Sequence, residues 1–242
     1  MAAASMRKFA KWHIWLAWLT GVPILMWVVT GLIMVVKPIE EVRGSHLVKD
    51  VPAENLPRDI AIAVNLPAEW EKEVRSVGTS MERGELVTRI NYADGTSDRL
   101  REDGTKMAPL SELEARLIVA ERIEGGDQVA STRKFDADNV PFDFRAPRSV
   151  WQVALEDGTN VYVGTQSGRI EAVRTGWWRT FDFAWGLHIM DLQTRELDGQ
   201  SAFNRTMLVS FAALSVIASL LGVVLMFRRR KARVKSQQQQ TV

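Results

Sequence analysis

Three histidines, His13, His46 and His188, are the side chains best suited to ligate a metal or carry a proton near neutral pH. The chain has no cysteine, which excludes thiolate metal sites, disulfides and a cysteine nucleophile. It also lacks the zinc motif His-Glu-x-x-His, the Gly-x-Ser-x-Gly elbow and glycine-rich phosphate or dinucleotide loops. Residues 136–139 resemble the start of a calcium loop, but Pro147 replaces the required Glu, so we interpret them as a turn. The sequence favours a protein that is not an enzyme.

Two long apolar segments frame these histidines: the first contains His13, and the second follows His188. Residues 12–36 contain one ionisable side chain, His13, and residues 206–227 contain none. Each segment exceeds the roughly 20 residues that a membrane-spanning helix needs. The first is too long for the apolar core of a signal peptide, about 7–15 residues, and carries four tryptophans. We therefore predict an uncleaved two-span membrane anchor.

The distribution of charge predicts the orientation of this anchor. The two tails outside the apolar segments carry nine Lys and Arg and no acid, whereas residues 38–204 carry 29 Asp and Glu against 20 Lys and Arg, a net charge of −9. Because positively charged flanks remain in the cytoplasm, both termini are predicted to be cytoplasmic and residues 38–204 periplasmic. The pI of 9.0 averages these opposite regions and does not indicate nucleic-acid binding.

The segment between the predicted spans partly repeats itself. Residues 87–106 align with residues 150–169, and the tripeptide Asp-Gly-Thr occurs at the same place in both, at 94–96 and at 157–159. A second glycine turn follows in each copy. Asp-Gly between alternating apolar and polar residues is a strong hairpin signal, so each copy is predicted to be a β-hairpin or short meander.

A helix is predicted ahead of each copy. The first lies within residues 56–64, where Leu-Pro-Arg precedes an apolar run. The second begins with the capping-box pair Ser111 and Glu114 and is stopped by Gly125-Gly126. Its apolar face is predicted to comprise Leu113, Leu117, Ala120 and Ile123. The fold class is therefore a two-helix membrane anchor plus a periplasmic α+β domain of two tandem units, each a helix on a small antiparallel sheet.

Short motifs accompany this arrangement along nearly the whole chain. His13 lies early in the first span and Thr30-Gly31 near its far end, Gly186-Leu187-His188 precedes the second span, and that span closes on Gly222 and a run of Arg. With the tandem helix-plus-hairpin modules, this pattern resembles the PepSY-associated transmembrane proteins of bacteria. The resemblance implies tandem PepSY-like units in the periplasm.

Larger members of that family have four or more spans, and some resemble haem-bearing reductases of ferric siderophores, which connects them with iron uptake. This chain departs from them because it has two spans and three histidines. We expect no cofactor; the alternative that the resemblance implies is haem b, with His188, His46 and His13 as the candidate ligands. The predicted spans place His13 and His188 at opposite membrane surfaces, roughly 30 Å apart, so one haem cannot use both.

Each histidine also has a structural interpretation. For His13 the alternative to a ligand role is a position in the headgroup zone, since it lies at the edge of its span. It shares a face with Ala17 and Gly21, small residues that let another helix approach closely. His46 is interpreted as a solvated linker residue. His188 is predicted on the apolar face of an interfacial helix, where it either ligates haem or hydrogen-bonds a headgroup or a carbonyl. The other members of that face are Trp178, Phe181, Trp185 and Leu192, with Arg179 and Asp182 pointing elsewhere.

Two further features concern packing. The second span carries small residues on one predicted helix-packing face, Ala212, Ser215, Ser219 and Gly222, and Pro23 is predicted to kink the first span. Basic and aromatic residues alternate from Arg133 to Arg148, and we interpret this stretch as a loop lying over the sheet, with a docking loop or anion site as the alternative.

We predict a non-catalytic accessory or binding subunit of the bacterial inner membrane. The alternatives are a haem-bearing electron-transfer protein related to ferric-siderophore reduction and a module that binds or inhibits a secreted peptidase. Expected partners are the lipid bilayer and other membrane subunits or a second copy, and not nucleic acid. The predicted segments are a cytoplasmic tail (1–11), span 1 (12–36), two PepSY-like units (37–107 and 108–175), an interfacial aromatic helix with its connector (176–204), span 2 (205–227) and a basic, disordered tail (228–242).

Overall fold

The computed structural model describes residues 2–58, 72–195 and 201–240. These form two compact units: a helical unit of Met1–Lys37 and Thr180–Val242, and an α+β unit of Pro38–Arg179. The helices are α1 (Ala2–Val35), α2 (Ile39–Arg43), α3 (Glu112–Arg122), α4 (Gly176–His188) and α5 (Ala202–Gln240). The strands are β1 (Val74–Glu82), β2 (Glu85–Tyr92), β3 (Ser97–Leu100), β4 (Val129–Phe135), β5 (Val150–Leu155), β6 (Asn160–Gly164) and β7 (Ile170–Arg174). The predicted class, a helical anchor plus an α+β domain, is confirmed.

The helical unit consists mainly of α1 and α5, which pack against each other. Within them, Arg7–Val35 and Ala202–Arg230 are long and apolar enough to cross a bilayer. Pro23 lies inside α1, where it removes one backbone donor from the helix. Both helices extend into segments that we predicted as tails, and α5 continues as far as Gln240, within the tail predicted to be disordered. Lys, Arg and Gln favour helix, and extending an existing helix avoids the cost of nucleation.

The first sheet of the α+β unit has the antiparallel order β1-β2-β3. The Asp-Gly-Thr turn joins β2 to β3, and Gly95 has φ +79° there, as the hairpin prediction requires. The Asp94 carboxylate accepts hydrogen bonds from the Thr96 amide at 2.8 Å and the Thr96 hydroxyl at 2.7 Å. The helix predicted ahead of this sheet falls mostly on residues 59–71, which lie outside the described residues.

The second sheet has the antiparallel order β4-β5-β6-β7 and repeats the same turn. Gly158 has φ +81° between β5 and β6, and the Thr159 amide donates to Asp157 at 2.8 Å. The hairpin predicted from the repeat is therefore confirmed in both sheets. The core beside this sheet contains Val153, Val161 and Val163, all fully buried.

Helix α3 supplies the other side of that core, and its start is as predicted. The Ser111 side chain accepts from the Glu114 amide and the Glu114 carboxylate accepts from the Ser111 amide, a complete capping box. The predicted apolar face is wrong at Leu113, which is 67% exposed, and at Leu117, which is 44% exposed, but correct at Ile123, which is fully buried. Ala115 and Val119 complete the core face together with Ile123, and the partly buried Ile118 packs beside them. Both faces have apolar residues at helical spacing, and contact with the sheet decides between them.

The residues that follow α1 pack on the second sheet, although we assigned them to the first PepSY-like unit. Val42 is 1% exposed, and Gly44 lies so close to Val173 that a Cβ there would stand 2.6 Å from its methyl group. The Lys49 amide donates to the Arg122 carbonyl and the Glu124 amide donates to the Leu47 carbonyl, each at 2.8 Å. These contacts join residues that are distant in the sequence, and a local sequence pattern does not predict them.

Two buried arginines connect the two sheets. The Arg89 Nε donates to the Ser167 carbonyl at 2.9 Å and the Arg99 Nε donates to the Gln166 carbonyl at 3.1 Å. Each arginine is 6% exposed, and Arg89 also pairs with Glu82 at 2.6 Å. The turn between β6 and β7 thus receives donors from the first sheet, which joins the tandem repeats into one unit.

Residues 136–149 cover the face of the second sheet opposite α3, as interpreted from the sequence, whereas residues 133–135 of the stretch interpreted as a loop belong to strand β4. Phe144 is buried and its ring stacks on Tyr162 at 5.0 Å between centroids. The Tyr162 hydroxyl donates to Asp143 at 2.6 Å, and burial of this phenol, with the Asp143 carboxylate beside it, raises the Tyr162 pKa. The predicted turn at 136–139 is a short 3-10 helix, Ala137–Asn139.

Candidate functional site

His188, the last residue of α4, contacts the motif Thr30-Gly31 of α1. Its Nδ1 lies 2.9 Å from the Thr30 hydroxyl, and that hydroxyl donates to the Met26 carbonyl at 2.7 Å. Because a hydroxyl has one proton and a carbonyl only accepts, the His188 Nδ1–H donates to Thr30. The neutral ring then has its lone pair on Nε2. The ring also lies against Gly31, where an added Cβ would be 3.8 Å from the His188 Cε1.

The backbone of His188 is held to the same helix. The Trp27 indole Nε1 donates to the His188 carbonyl at 2.9 Å. Carbonyls in the last turn of a helix have no partner within the helix and need an outside donor. Trp27 meets that need for α4, so one residue of α4 is fixed to α1 by both its side chain and its main chain.

A compact turn of residues 189–195 follows His188 and folds back on α4. Arg195 pairs with Asp182, and both side chains are largely buried. The Arg195 carbonyl accepts from the Trp185 Nε1 at 3.0 Å. Gly186 permits this close return, because a Cβ there would lie 3.0 Å from the Arg195 Cγ. Asp182, which was predicted to point away from the aromatic face of α4, has a buried carboxylate, and Arg195 supplies its charge partner.

The Asp191 carboxylate organises the same turn. It accepts from the Gln193 amide at 3.0 Å, the Thr194 amide at 3.1 Å and the Thr194 hydroxyl at 2.6 Å. The hydroxyl bond, more than any other contact, lowers the pKa of Asp191 below its usual value. Asp191 is 2% exposed, and these hydrogen-bond donors stabilise its charge.

His13 makes the corresponding contact between α1 and α5. Its Nδ1 lies 3.0 Å from the Ala218 carbonyl, so Nδ1–H donates and the lone pair is again on Nε2. Gly222 provides the space for the ring, because a Cβ there would stand 2.9 Å from the His13 Cε1. His13 thus packs on a helix backbone beside a small residue, which is the type of contact that helices make in lipid.

The two histidines are chemically similar but far apart. Metal-binding histidines donate one ring N–H to a hydroxyl or carbonyl and use the other nitrogen as the ligand, and both rings have that arrangement. His13 and Thr30 are 17 residues apart on α1, a separation of about 25 Å. Within one chain they cannot ligate the same iron, although each could supply one axial ligand.

His46 lies in the α+β unit and is exposed, with its Nδ1 3.3 Å from the Glu40 carbonyl. Among residues 2–58, 72–195 and 201–240, no group of three or more His, Asp or Glu is arranged to hold a metal ion.

Some of the predicted packing residues pack within the chain, and others are exposed. Gly222 contacts His13 and Ser215 is half-buried, whereas Ser219 is exposed. Ala17 and Gly21 are also exposed, and nothing lies within 4 Å of the Cβ position of Gly21.

The aromatic residues of α4 have protein contacts besides any contact with lipid. In the α+β unit, Trp178 has the guanidinium groups of Arg174 and Arg145 over its ring, at 4.3 and 5.7 Å from the centroid. Phe181 is half-buried, and Trp185 donates to the Arg195 carbonyl. The prediction of an interfacial face stays a prediction.

Sequence reasoning missed the residues that hold His188 in place. Trp27 was counted only as one of four tryptophans, and the Asp182–Arg195 pair was not recognised. The signal available for that pair was an acid placed within an otherwise aromatic helix, thirteen residues before an arginine. The thirteen-residue spacing did not predict that the Asp182–Arg195 pair is buried, because a folded turn after α4, and not a continuous helix, brings the two side chains together.

The fold and the site define a class of membrane-anchored protein with a domain outside the bilayer. It has two spanning helices, an α+β unit of two antiparallel sheets, and a histidine of α4 that contacts α1. The family model described as the PepSY-associated TM region matches residues 10–242. The chain therefore belongs to this family, as its short motifs indicated. Comparison with curated proteins and with solved structures found no match.

Proposed function

We propose that the chain is a non-catalytic accessory subunit of a bacterial inner-membrane complex, with both termini in the cytoplasm and the α+β unit in the periplasm. The nine bases of the tails support this orientation. The net charge of −9 over residues 38–204 favours a basic surface on whatever the periplasmic domain binds.

The observation that carries the proposal is an exposed small-residue face on α5. Ala212 and Ser219 are two helical turns apart and exposed, whereas Ala218 is buried where it accepts the bond from His13. Small exposed residues allow a second helix to approach closely, and packing of this type drives helix association in lipid. A transmembrane helix of another subunit is the occupant that we propose for this face.

Two neighbouring alanines give a matched test. Ala212 and Ala213 are both exposed, but their side chains are about 100° apart around the α5 axis. We expect the full-length protein, purified in mild detergent, to have a mass by light scattering above that of one chain. Ala212→Phe should reduce that mass to a single chain, and Ala213→Phe should leave the complex intact. A wild-type protein that is a single chain, or two variants that behave alike, would contradict the accessory role.

A second candidate function, electron transfer through haem b, is favoured by one observation. The Thr30 hydroxyl accepts a hydrogen bond from the His188 Nδ1–H, and the lone pair of the neutral ring is then on Nε2, where it could bind iron as an axial ligand. Haem would supply one-electron chemistry, and the second axial ligand would have to be His46 or a histidine of another chain. A reduced-minus-oxidised visible spectrum distinguishes this candidate from the accessory role.

A further inference from the structure

A groove runs along the surface of α1. Its volume is about 470 Å³, and the residues that line it extend from His13 to Leu25 with almost no polar surface. Gly21 forms part of its floor and is open, because nothing lies within 4 Å of its Cβ position. Trp18, which is 80% exposed, forms part of one side.

A second cavity adjoins this groove and differs from it in character. Its volume is about 500 Å³, within the range of small-molecule sites, and Val22 lines both cavities. Pro23 and Met26 of α1 supply apolar lining. Gln193 and Asn204 supply polar lining. The combined space is therefore apolar at the α1 end and polar where the 189–195 turn meets the start of α5.

The length of the groove corresponds to one lipid tail. His13 and Leu25 are twelve residues apart on α1, so the groove is about 18 Å long. The hydrocarbon of one bilayer leaflet is about 15 Å thick. A single extended tail would fill the groove and place its head group at the polar end of the adjoining cavity, beside the 189–195 turn.

The charge of the cavity restricts that head group. Among the described residues that line it there is no Lys or Arg, and the one acid, Asp191, is 2% exposed with both carboxylate oxygens already hydrogen-bonded. A phosphate taken from water into such a cavity would lack a cation to pair with. The Asn204 side chain already hydrogen-bonds Asp191, and the neutral side-chain amide of Gln193 suits an uncharged head that forms hydrogen bonds.

We propose that the helical unit binds one uncharged, single-tailed amphiphile, with its tail along the Gly21 groove and its head in the cavity beside the 189–195 turn. This inference goes beyond the accessory role and does not depend on it, because the partner face of α5 and the groove of α1 involve different residues.

The test compares two probes that share a tail and differ in the head. Detergent-purified full-length protein is titrated with monooleoylglycerol or with oleoyl-lysophosphatidylglycerol, and bound molecules are counted by native mass spectrometry. We expect one saturable monooleoylglycerol per chain and at least tenfold weaker binding of the anionic probe.

Two variants probe the two ends of the site. Gly21→Leu should fill the groove and weaken monooleoylglycerol binding at least tenfold; the variant should fold, since Leu favours helix over Gly and its Cβ meets no neighbour. Gln193→Leu should weaken the same binding severalfold by removing a head-group contact. Ala213→Leu, exposed on α5 outside both cavities, is the matched control and should bind as wild type.

Three results would overturn the proposal. Equal binding of both probes would show non-specific lipid association only. Unchanged binding in Gly21→Leu or in Gln193→Leu would place the amphiphile elsewhere. Absence of bound monooleoylglycerol, with Gly21→Leu reducing the mass of the protein complex, would identify the groove as the seat of a partner helix.

Discussion

The contact of His13 with α5 allows a quantitative prediction. Gly222→Ala places a Cβ 2.9 Å from the His13 Cε1, which is closer than carbon atoms normally approach, so the ring must move. That movement lengthens the 3.0 Å bond from Nδ1 to the Ala218 carbonyl. A hydrogen bond contributes about 0.5–1.5 kcal/mol net, and about 0.6 kcal/mol on average between membrane helices. The loss from bond and packing together should be about 1 kcal/mol.

The helix preference of Ala over Gly, up to about 1 kcal/mol, opposes this loss in the single variant. A double-mutant cycle removes that contribution because it acts equally with and without the histidine. We therefore expect a coupling energy of about 1 kcal/mol between Gly222→Ala and His13→Ala. The measurement is unfolding by SDS in mixed micelles, followed by circular dichroism. Gly21→Ala is the control for propensity alone, since its Cβ meets nothing within 4 Å. A Gly222 coupling below about 0.3 kcal/mol, within the scatter of independent sites, would refute the contact.

Three further predictions concern the α+β unit and its placement. A reporter that is active only outside the cytoplasm should be active when inserted at Gly125 and silent when fused after Gln240, as the charge distribution requires. Gly95→Val and Gly158→Val should each lower the free energy of unfolding by about 1 kcal/mol or more, measured by thermal melting, because a β-branched residue is strained at positive φ. Hydrogen bonds from the Thr96 hydroxyl and amide, with the charge of Lys72, lower the pKa of Asp94 from 3.8 to about 2, so its stabilisation is present above the unfolded pKa and is lost as pH falls from about 4 to 2. Asp94→Asn should reduce the slope of melting temperature over that interval.

Each of these has a control or a contradicting result. Gly78→Val in β1 should leave melting nearly unchanged, because Gly78 does not have positive φ and its Cβ would meet no atom within 4 Å. Equal melting of all three glycine variants would exclude the paired-turn interpretation. The opposite reporter pattern would reverse the orientation, and an acid slope unaffected by Asp94→Asn would remove that carboxylate from the pH response.

Local signals accounted for the parts of the fold that were predicted correctly. The two apolar segments, the capping box at Ser111 and the turns at Gly95 and Gly158 each depend on a few neighbouring residues. In each case the chemistry of a short segment determines its conformation: an apolar run in a membrane, a hydroxyl at a helix start, or a glycine at positive φ.

The incorrect or missing predictions all concern long-range packing. The sequence offered two apolar faces on α3, and only the sheet selects Val119 over Leu117. The buried pair of Asp182 and Arg195 requires a folded turn whose path no periodicity describes. His188 was a candidate from the start, but its tautomer follows from Thr30, more than 150 residues earlier in the chain.

The most direct test of the account is a reduced-minus-oxidised visible spectrum of the full-length protein in detergent, recorded for wild type and for His188→Gln. A non-catalytic accessory subunit should show no sharp haem bands in either protein, and both should insert into the membrane and copurify with the same partner. Equimolar haem in the wild type that is lost in His188→Gln would contradict the account, since an amide is a poor substitute for an imidazole ligand, and would establish the chain as an electron carrier.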